Sequence, residues 1–292
     1  MIDEVALAGL EDEVAAALRT GDTSRLRVLG WGEISLVLGS SAADPEWACK
    51  RLPPLRSAAD AERYAAVIGR YIAELERRGV AVAPTEMRQV VRDDGSTVLF
   101  CIQPVLPADS LAVNIARAHP EKADGLLGEI VATVFSVVDA EMGLDAQLSN
   151  WATVDGRLTY FDITTPMLRR ADGSTELDTD VFLTSMPWLL RAPVRRFVVP
   201  DILARYHGQR TVVLDLAANL LKERLDALIP AVLAATEGRV DPPLTEAEVR
   251  RDYRRDARTW SGLQAIRRAD RMWQTKVRRR TYPFLLPGHI ER

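Results

Sequence analysis

Asp145-Ala146-Gln147-Leu148-Ser149-Asn150 is followed by an apolar hairpin pattern, 153–154 and 158–161 about Asp155-Gly156, that ends in Tyr160-Phe161-Asp162. Aspartate-glycine between two short apolar runs is a strong local signal for a two-residue hairpin turn, whose backbone needs positive φ. The stretch therefore sets Asp145, Asn150 and Asp162 at the two ends of one small hairpin. Strand patterns prevail before it and helical patterns after it. The chain reads as α+β, with a strand-rich unit over residues 1–106 and a helical unit over 107–292.

Working back from that hairpin, residues 3–19 place Leu7, Leu10, Val14 and Leu18 at three- and four-residue steps among acids, an amphipathic helix suited to a lid or cap. Short strands follow at 25–29, 35–38 and 47–51, the first two around Gly30-Trp31-Gly32-Glu33-Ile34-Ser35. A helix is expected over 58–78, with Tyr64, Ile68, Tyr71 and Leu75 on one side and Gly79 at its C-cap. Strands 85–91 and 98–102, joined at Asp93-Asp94-Gly95, complete five strands, read as one antiparallel sheet with one helix. Pro104 and Pro107 then mark a hinge near 103–110. Beyond it, 121–141, 181–190, 212–236 and 245–280 look helical, with breaks at Pro193, Pro200 and Pro242-Pro243.

With 292 residues, a formal charge of -3 and 47% hydrophobic residues, the chain has an ordinary soluble composition. No apolar run reaches the roughly 18 residues of a membrane span. Met1-Ile2-Asp3-Glu4 lacks the basic-then-apolar order of a secretory signal, which points to the cytoplasm. Cys49 and Cys101 sit in apolar strand patterns and read as buried thiols in a reducing compartment. His119, His207 and His289 have no ligand spacing, which disfavours zinc. Charge is uneven: residues 250–292 hold 13 Lys/Arg against 4 Asp/Glu. This segment is either an arm for an anionic partner or an arginine-rich helix folded onto the acidic body. Trp260, Leu263, Ile266, Met272 and Trp273 fall at helix-like intervals and favour the docked helix over a nucleic-acid arm, with a protein partner as the alternative.

Two upstream features add polar chemistry. Without side chains at Gly30 and Gly32, backbone N–H groups can approach phosphate oxygens, although a tight hairpin alone would also explain the pair. Lys50 follows Trp47-Ala48-Cys49 in an apolar strand, where a buried ammonium needs an anionic partner unless it snorkels to solvent.

Taken together and in this order, these segments resemble the protein-kinase-like two-lobed fold, in its small-molecule branch with aminoglycoside phosphotransferases and choline kinase. The glycine loop would be 29–37, with Ser35 at a usual glycine position and Val37 roofing adenine. Ala48-Cys49-Lys50 resembles the third-strand motif whose lysine binds the α- and β-phosphates. Residues 99–102 and Gln103-Pro104-Val105-Leu106 match the gatekeeper-to-hinge segment, so backbone groups of Pro104 and Leu106 would read the adenine edge. The resemblance further implies a glutamate partner for Lys50, Glu62 before Glu74. Glu62 heads a strip of small residues, Ala66, Gly69 and Ala73, that would permit close packing on the sheet. It makes Asp145 the base for an acceptor hydroxyl, and Asn150 and Asp162 the magnesium ligands. Asp215, at an expected helix start, would brace the catalytic loop. ATP and magnesium are the implied cofactors, and a small-molecule hydroxyl is the implied acceptor.

Identifiable motifs cover about residues 25–165 and depart from the family pattern in places. Gly143 and Leu144 stand where histidine and arginine or glycine are common, and Ile163-Thr164 replaces Phe-Gly. These features argue against a eukaryotic-type protein kinase. Asp172, Glu176, Asp178 and Asp180 read first as a solvated acidic loop and second as a site for a cationic acceptor. Two alternatives stand beside the small-molecule kinase: a nucleotide-binding pseudokinase scaffold, and a kinase acting on Ser/Thr of a peptide.

Overall fold

The computed structural model describes residues 2–32, 35–40, 45–184, 186–278, 282 and 285; Glu33 and Ile34 of the glycine hairpin lie outside these. Helix α1 (Glu4–Thr20) starts at Asp3, whose carboxylate accepts the Ala6 N–H at 2.7 Å. Five strands follow, β1 (Val28–Trp31), β2 (Leu36–Gly39), β3 (Trp47–Arg51), β5 (Glu86–Val91) and β6 (Thr97–Pro104). They form one antiparallel sheet in the order β1-β2-β3-β6-β5. Helix α2 (Ala58–Arg77) and the short β4 (Ala81–Val82) lie between β3 and β5 in sequence.

The pleat of β3 sorts its side chains between two environments. Cys49, opposite Leu38 and Ile102, faces a buried layer with Leu7, Leu10 and Val14 of α1. Lys50, opposite Val37 and Cys101, faces the other way, with Ala48. Cys49 and Cys101 are thus buried free thiols on opposite faces of the sheet, and burial raises them to about 11 and about 12. Helix α1 is a fixed cap on the outer face. Arg51 donates to Glu11 at 2.6 and 2.8 Å, and both residues are at most 5% exposed.

The second half is helical: α3 (Ala112–Ala118), α4 (Pro120–Val137), α5 (Asp180–Leu183), α6 (Trp188–Phe197), α7 (Val199–Arg205), α8 (Gln209–Lys222), α9 (Ile229–Ala235) and α10 (Glu246–Met272). The expected hairpin is β7 (Trp151–Val154) and β8 (Arg157–Tyr160), turning on Asp155 and Gly156, both at positive φ. β4 adds to β8 in parallel, a three-stranded sheet β4-β8-β7 that ties the segment after α2 to the helical region. One core runs through α2, the inner sheet face and the helices around α4 and α8. Gly79 at φ +88 and Gly95 at φ +79 take the left-handed positions expected of them.

The helical half departs from its expected boundaries. The 181–190 segment is two helices, and Pro193 lies inside α6. That helix buries no side chain, so water can serve the carbonyl that Pro193 leaves without a donor. The 212–236 segment breaks at Arg224, which sits at φ 57, before α9 restarts at Pro230. Among the described residues, no helix is long and apolar enough to cross a membrane.

The buried Arg51–Glu11 pair gives the first prediction. Glu11→Ala leaves a guanidinium buried without its partner and lowers the unfolding free energy by about 3–5 kcal/mol in urea titration. The double variant Glu11→Leu with Arg51→Met recovers most of that loss. A loss below about 1 kcal/mol in the single variant contradicts the α1 clamp.

Candidate active site

Around Asp145 the chain alternates: Leu144, Ala146 and Leu148 are buried in the core, while Asp145, Gln147 and Ser149 line a cleft. Asn150 closes this loop, its Nδ2 donating to the Asp145 carbonyl at 3.1 Å. Phe161 N–H then bonds the Asn150 carbonyl at 3.1 Å, bringing the end of β8 back to the loop. Asp162, the next residue, accepts from Lys50 Nζ at 2.6 Å and from Thr164 Oγ1 at 3.3 Å. An aspartate from the end of the hairpin and a lysine from the middle of the sheet, 112 residues apart, thus meet across the cleft.

Helix α2 braces this floor through two phenols seven residues apart on its buried side. Tyr64 Oη donates to the Thr164 carbonyl at 3.0 Å, and Tyr71 Oη to the Gly143 carbonyl at 3.1 Å. They hold the backbone two residues after Asp162 and two before Asp145. A Cβ on Gly143 would lie 2.7 Å from the Tyr206 carbonyl and 3.1 Å from His207, so the α7–α8 corner fills the space beside this position. The Gly143 departure has this packing as its cause.

Asp215 sits within α8, not at its start, and reaches the loop through a side chain: Gln147 Nε2 donates to it at 3.2 Å. Arg205 contacts Asp215 at 3.2 Å and Asp252 at 2.5 Å, linking α7, α8 and α10. Electrostatics differ sharply among the three aspartates. Burial, followed by the charges of Asp215 and Asp162, pushes Asp145 up to about 8. Burial raises Asp215 to about 6, with Arg205 and Gln147 opposing. Burial also acts to raise Asp162, but Lys50 outweighs it and the net shift is downward.

Gly32, Ser35, Lys50, Asp145, Asn150 and Asp162 all line one cavity of about 370 Å³. Gly32 N–H closes the β1–β2 hairpin on the Ser35 carbonyl at 3.0 Å, and a Cβ there would collide with Ser35 Oγ. Gly30 pairs with Val37 without such crowding. Val37 and Ala48 lie on the Lys50 face of the sheet. Pro104 ends β6 opposite Trp47, and Val105 N–H is taken by the Glu46 carbonyl. Pro104 and Leu106 of the hinge are partly buried but do not line this cavity, and neither do Gly30, Val37 and Ala48.

The expected glutamate partner of Lys50 requires correction. Glu62 is exposed, because α2 turns Tyr64, Ile68, Tyr71 and Leu75 inward and leaves the Ala66, Gly69 and Ala73 strip in solvent. Glu74 is held by Arg77 and Arg78, whose hydrogen bonds lower it to about 2. Lys50 pairs with Asp162 instead. The acidic loop reaches the cavity through Leu177 and Thr179, while its carboxylates are engaged elsewhere: Glu176 pairs with Arg70, Asp180 pairs with Arg195, and Asp172 and Asp178 accept local N–H groups.

Asn150 and Asp162 fit a magnesium ion by chemistry. Both offer hard oxygens to the cleft, and Asn150 has committed its amide nitrogen to the loop. Among the described residues no cluster of three or more His, Cys, Asp or Glu could hold a metal alone, so phosphate and water would complete the shell. Sequence reading missed the roles of the two phenols and of Gln147, and the far wall of the cavity. Phe182, Met186, Val198, Ile202, Trp260 and Leu263 belong to that wall, and of these only Trp260 and Leu263 stood out in the sequence, by their helical spacing.

A sequence-family profile described as "Family of unknown function (DUF6206)" matches residues 9–271, from within α1 to the last turn of α10. No curated protein is significantly similar to the chain.

The raised Asp145 yields a pH prediction in metal-free buffer. An acid whose folded pKa exceeds its unfolded value costs no stability at low pH and costs progressively more as pH rises from about 4, the usual carboxylate range, to about 8. Asp145→Asn therefore leaves the melting temperature unchanged near pH 4 and raises it above pH 8. Equal melting temperatures at both ends would contradict the desolvated carboxylate. Gly143→Ala, read by the same melts, destabilises by about 1–3 kcal/mol at all pH values through its clash with the Tyr206 carbonyl.

Proposed function

The chain belongs to DUF6206, a family of unknown function, and we propose that it is an ATP- and magnesium-dependent phosphotransferase of protein-kinase-like architecture acting on a hydroxyl of a small molecule. The observation that carries the reading is the convergence of Gly32, Ser35, Lys50, Asp145, Asn150 and Asp162 on one cavity. The five-stranded sheet would be the N-lobe and the helical region the C-lobe, with the hinge after β6. Adenine would lie beyond this cavity, on the Lys50 face of the sheet by Val37 and Ala48 and toward the backbone of Pro104 and Leu106. Cytoplasm is the compartment that suits two reduced thiols.

Each residue then has a physical task. Lys50, released from Asp162, binds the phosphates as a point charge. Asn150 and Asp162 would hold magnesium, which supplies charge neutralisation at the β- and γ-phosphates. Asp145 orients the acceptor hydroxyl and takes its proton as the new P–O bond forms and the bond to the β-phosphate oxygen breaks. The charge of Asp162 is one of the causes that keep Asp145 protonated, and a cation held there would offset it. Gln147 and Asp215 position the loop without touching the reacting atoms. The remaining catalytic work is alignment and charge stabilisation. An acceptor side walled by side chains of α5, α6, α7 and α10 favours a small acceptor over a peptide lying along a flat groove.

Thermal melting of the intact protein with ATP tests the reading. Saturating ATP with magnesium raises the midpoint by about 5 °C, and the shift needs the metal. Asp162→Ala abolishes it. Asp145→Asn retains the shift but lowers turnover by about 10²–10⁴. The absence of a shift with every purine nucleotide would refute the phosphotransferase and favour a partner-binding pseudokinase.

A further inference from the structure

The cavity has two chemically distinct ends. Its catalytic end carries the only carboxylates among its lining residues, Asp145 and Asp162. Its other end is apolar, walled by Phe182, Met186, Val198, Ile202, Trp260 and Leu263. One face of α10, at positions 260, 263, 264 and 267, forms much of that wall, so the arginine-rich C-terminal segment is part of the pocket. Arg267 and Arg268 continue the α10 wall, and Lys222 at the end of α8 also lines the cavity. Both Arg268 and Lys222 are exposed, and among the described residues neither is paired with a carboxylate.

We propose that this half of the cavity binds an apolar alcohol that also carries an anionic group, the anion facing Arg268 and Lys222 and the hydroxyl reaching toward Asp145. An ammonium-bearing acceptor such as an amino sugar has no counter-charge there. It would meet a desolvated apolar wall and like charges, each unfavourable. A hydrocarbon chain or aromatic body gains from the same wall in proportion to the area it buries. The identity of the reacting hydroxyl rests on the phosphotransferase reading; the ligand class rests on the wall alone.

The test uses tryptophan fluorescence of the full chain without metal or nucleotide, since Trp260 lies in the wall. The probes are 1-hexanol, 1-octanol and 1-decanol, then 10-hydroxydecanoate against 10-amino-1-decanol. The dissociation constant falls roughly threefold to fourfold per added methylene, and the hydroxy acid binds at least tenfold tighter than the amine. Leu263→Asp weakens decanol at least tenfold. Arg268→Gln, an exposed position, removes most of the preference for the acid and leaves decanol binding unchanged. Affinity independent of chain length, or an amine that binds as tightly as the acid, overturns the inference. If the length and charge preferences appear but magnesium and ATP phosphorylate none of these alcohols, the pocket inference stands and the phosphotransferase reading falls. Phosphoryl transfer confined to polar cationic acceptors gives the reverse result.

Discussion

Three carboxylates, Asp145, Asp162 and Asp215, are held near one another at the floor of a cleft, and most of the surrounding structure compensates for that. Like charges taken out of water repel and lose hydration together. Two basic groups offset them: Lys50 is bound to Asp162, and Arg205 is shared between Asp215 and Asp252. Asp145 has neither and carries the residual strain as a pKa near 8. A fold does not retain such an arrangement for stability, since an apolar substitute would cost less. The raised Asp145, lining the cleft, is the ground on which a functional site is proposed there.

The same constraint explains the scaffold. Holding the aspartates in place requires rigid backbone on both flanks, supplied by the Tyr64 and Tyr71 phenols from one helix. That helix must turn its aromatic face inward to do so, which removes Glu62 from any role beside Lys50. With no glutamate to compete, Lys50 rests on Asp162 and its ammonium balances that carboxylate. The sheet that carries Lys50 is held in turn from its outer face by the Arg51–Glu11 pair of α1.

Most strand and helix patterns upstream of residue 105 were legible because their periods are clean: the expected 47–51 and 58–78 match Trp47–Arg51 and Ala58–Arg77, and the glycines at 79 and 95 take positive φ, whereas the first strand, expected at 25–29, runs over Val28–Trp31 and the two-residue β4 is too short to show a period. The polar set Lys50, Asp145, Asn150 and Asp162 was legible for a different reason, as an ordered spacing of residue types. Partner choice was not. Whether Lys50 meets Glu62, Glu74 or Asp162 depends on the rotation of α2, and both faces of that helix looked fit to pack: the small-residue strip and the aromatic row. The far wall was hidden as well, because it gathers side chains from α5 to α7 and from α10 with no local motif, and α6 even runs through a proline. Nor does pattern tell a helix docked for stability from one docked to wall a cavity.

If the cleft is a nucleotide site, binding must exchange ions: the ammonium of Lys50 leaves Asp162 for phosphate, and a divalent cation replaces it. A crystal structure of the chain with magnesium and a non-hydrolysable ATP analogue tests this directly. The account predicts a metal between the Asn150 side-chain oxygen and the Asp162 carboxylate, with Lys50 Nζ bound to the phosphates. A nucleotide bound elsewhere, or a Lys50–Asp162 bond still closed at 2.6 Å beside a bound nucleotide, would contradict it.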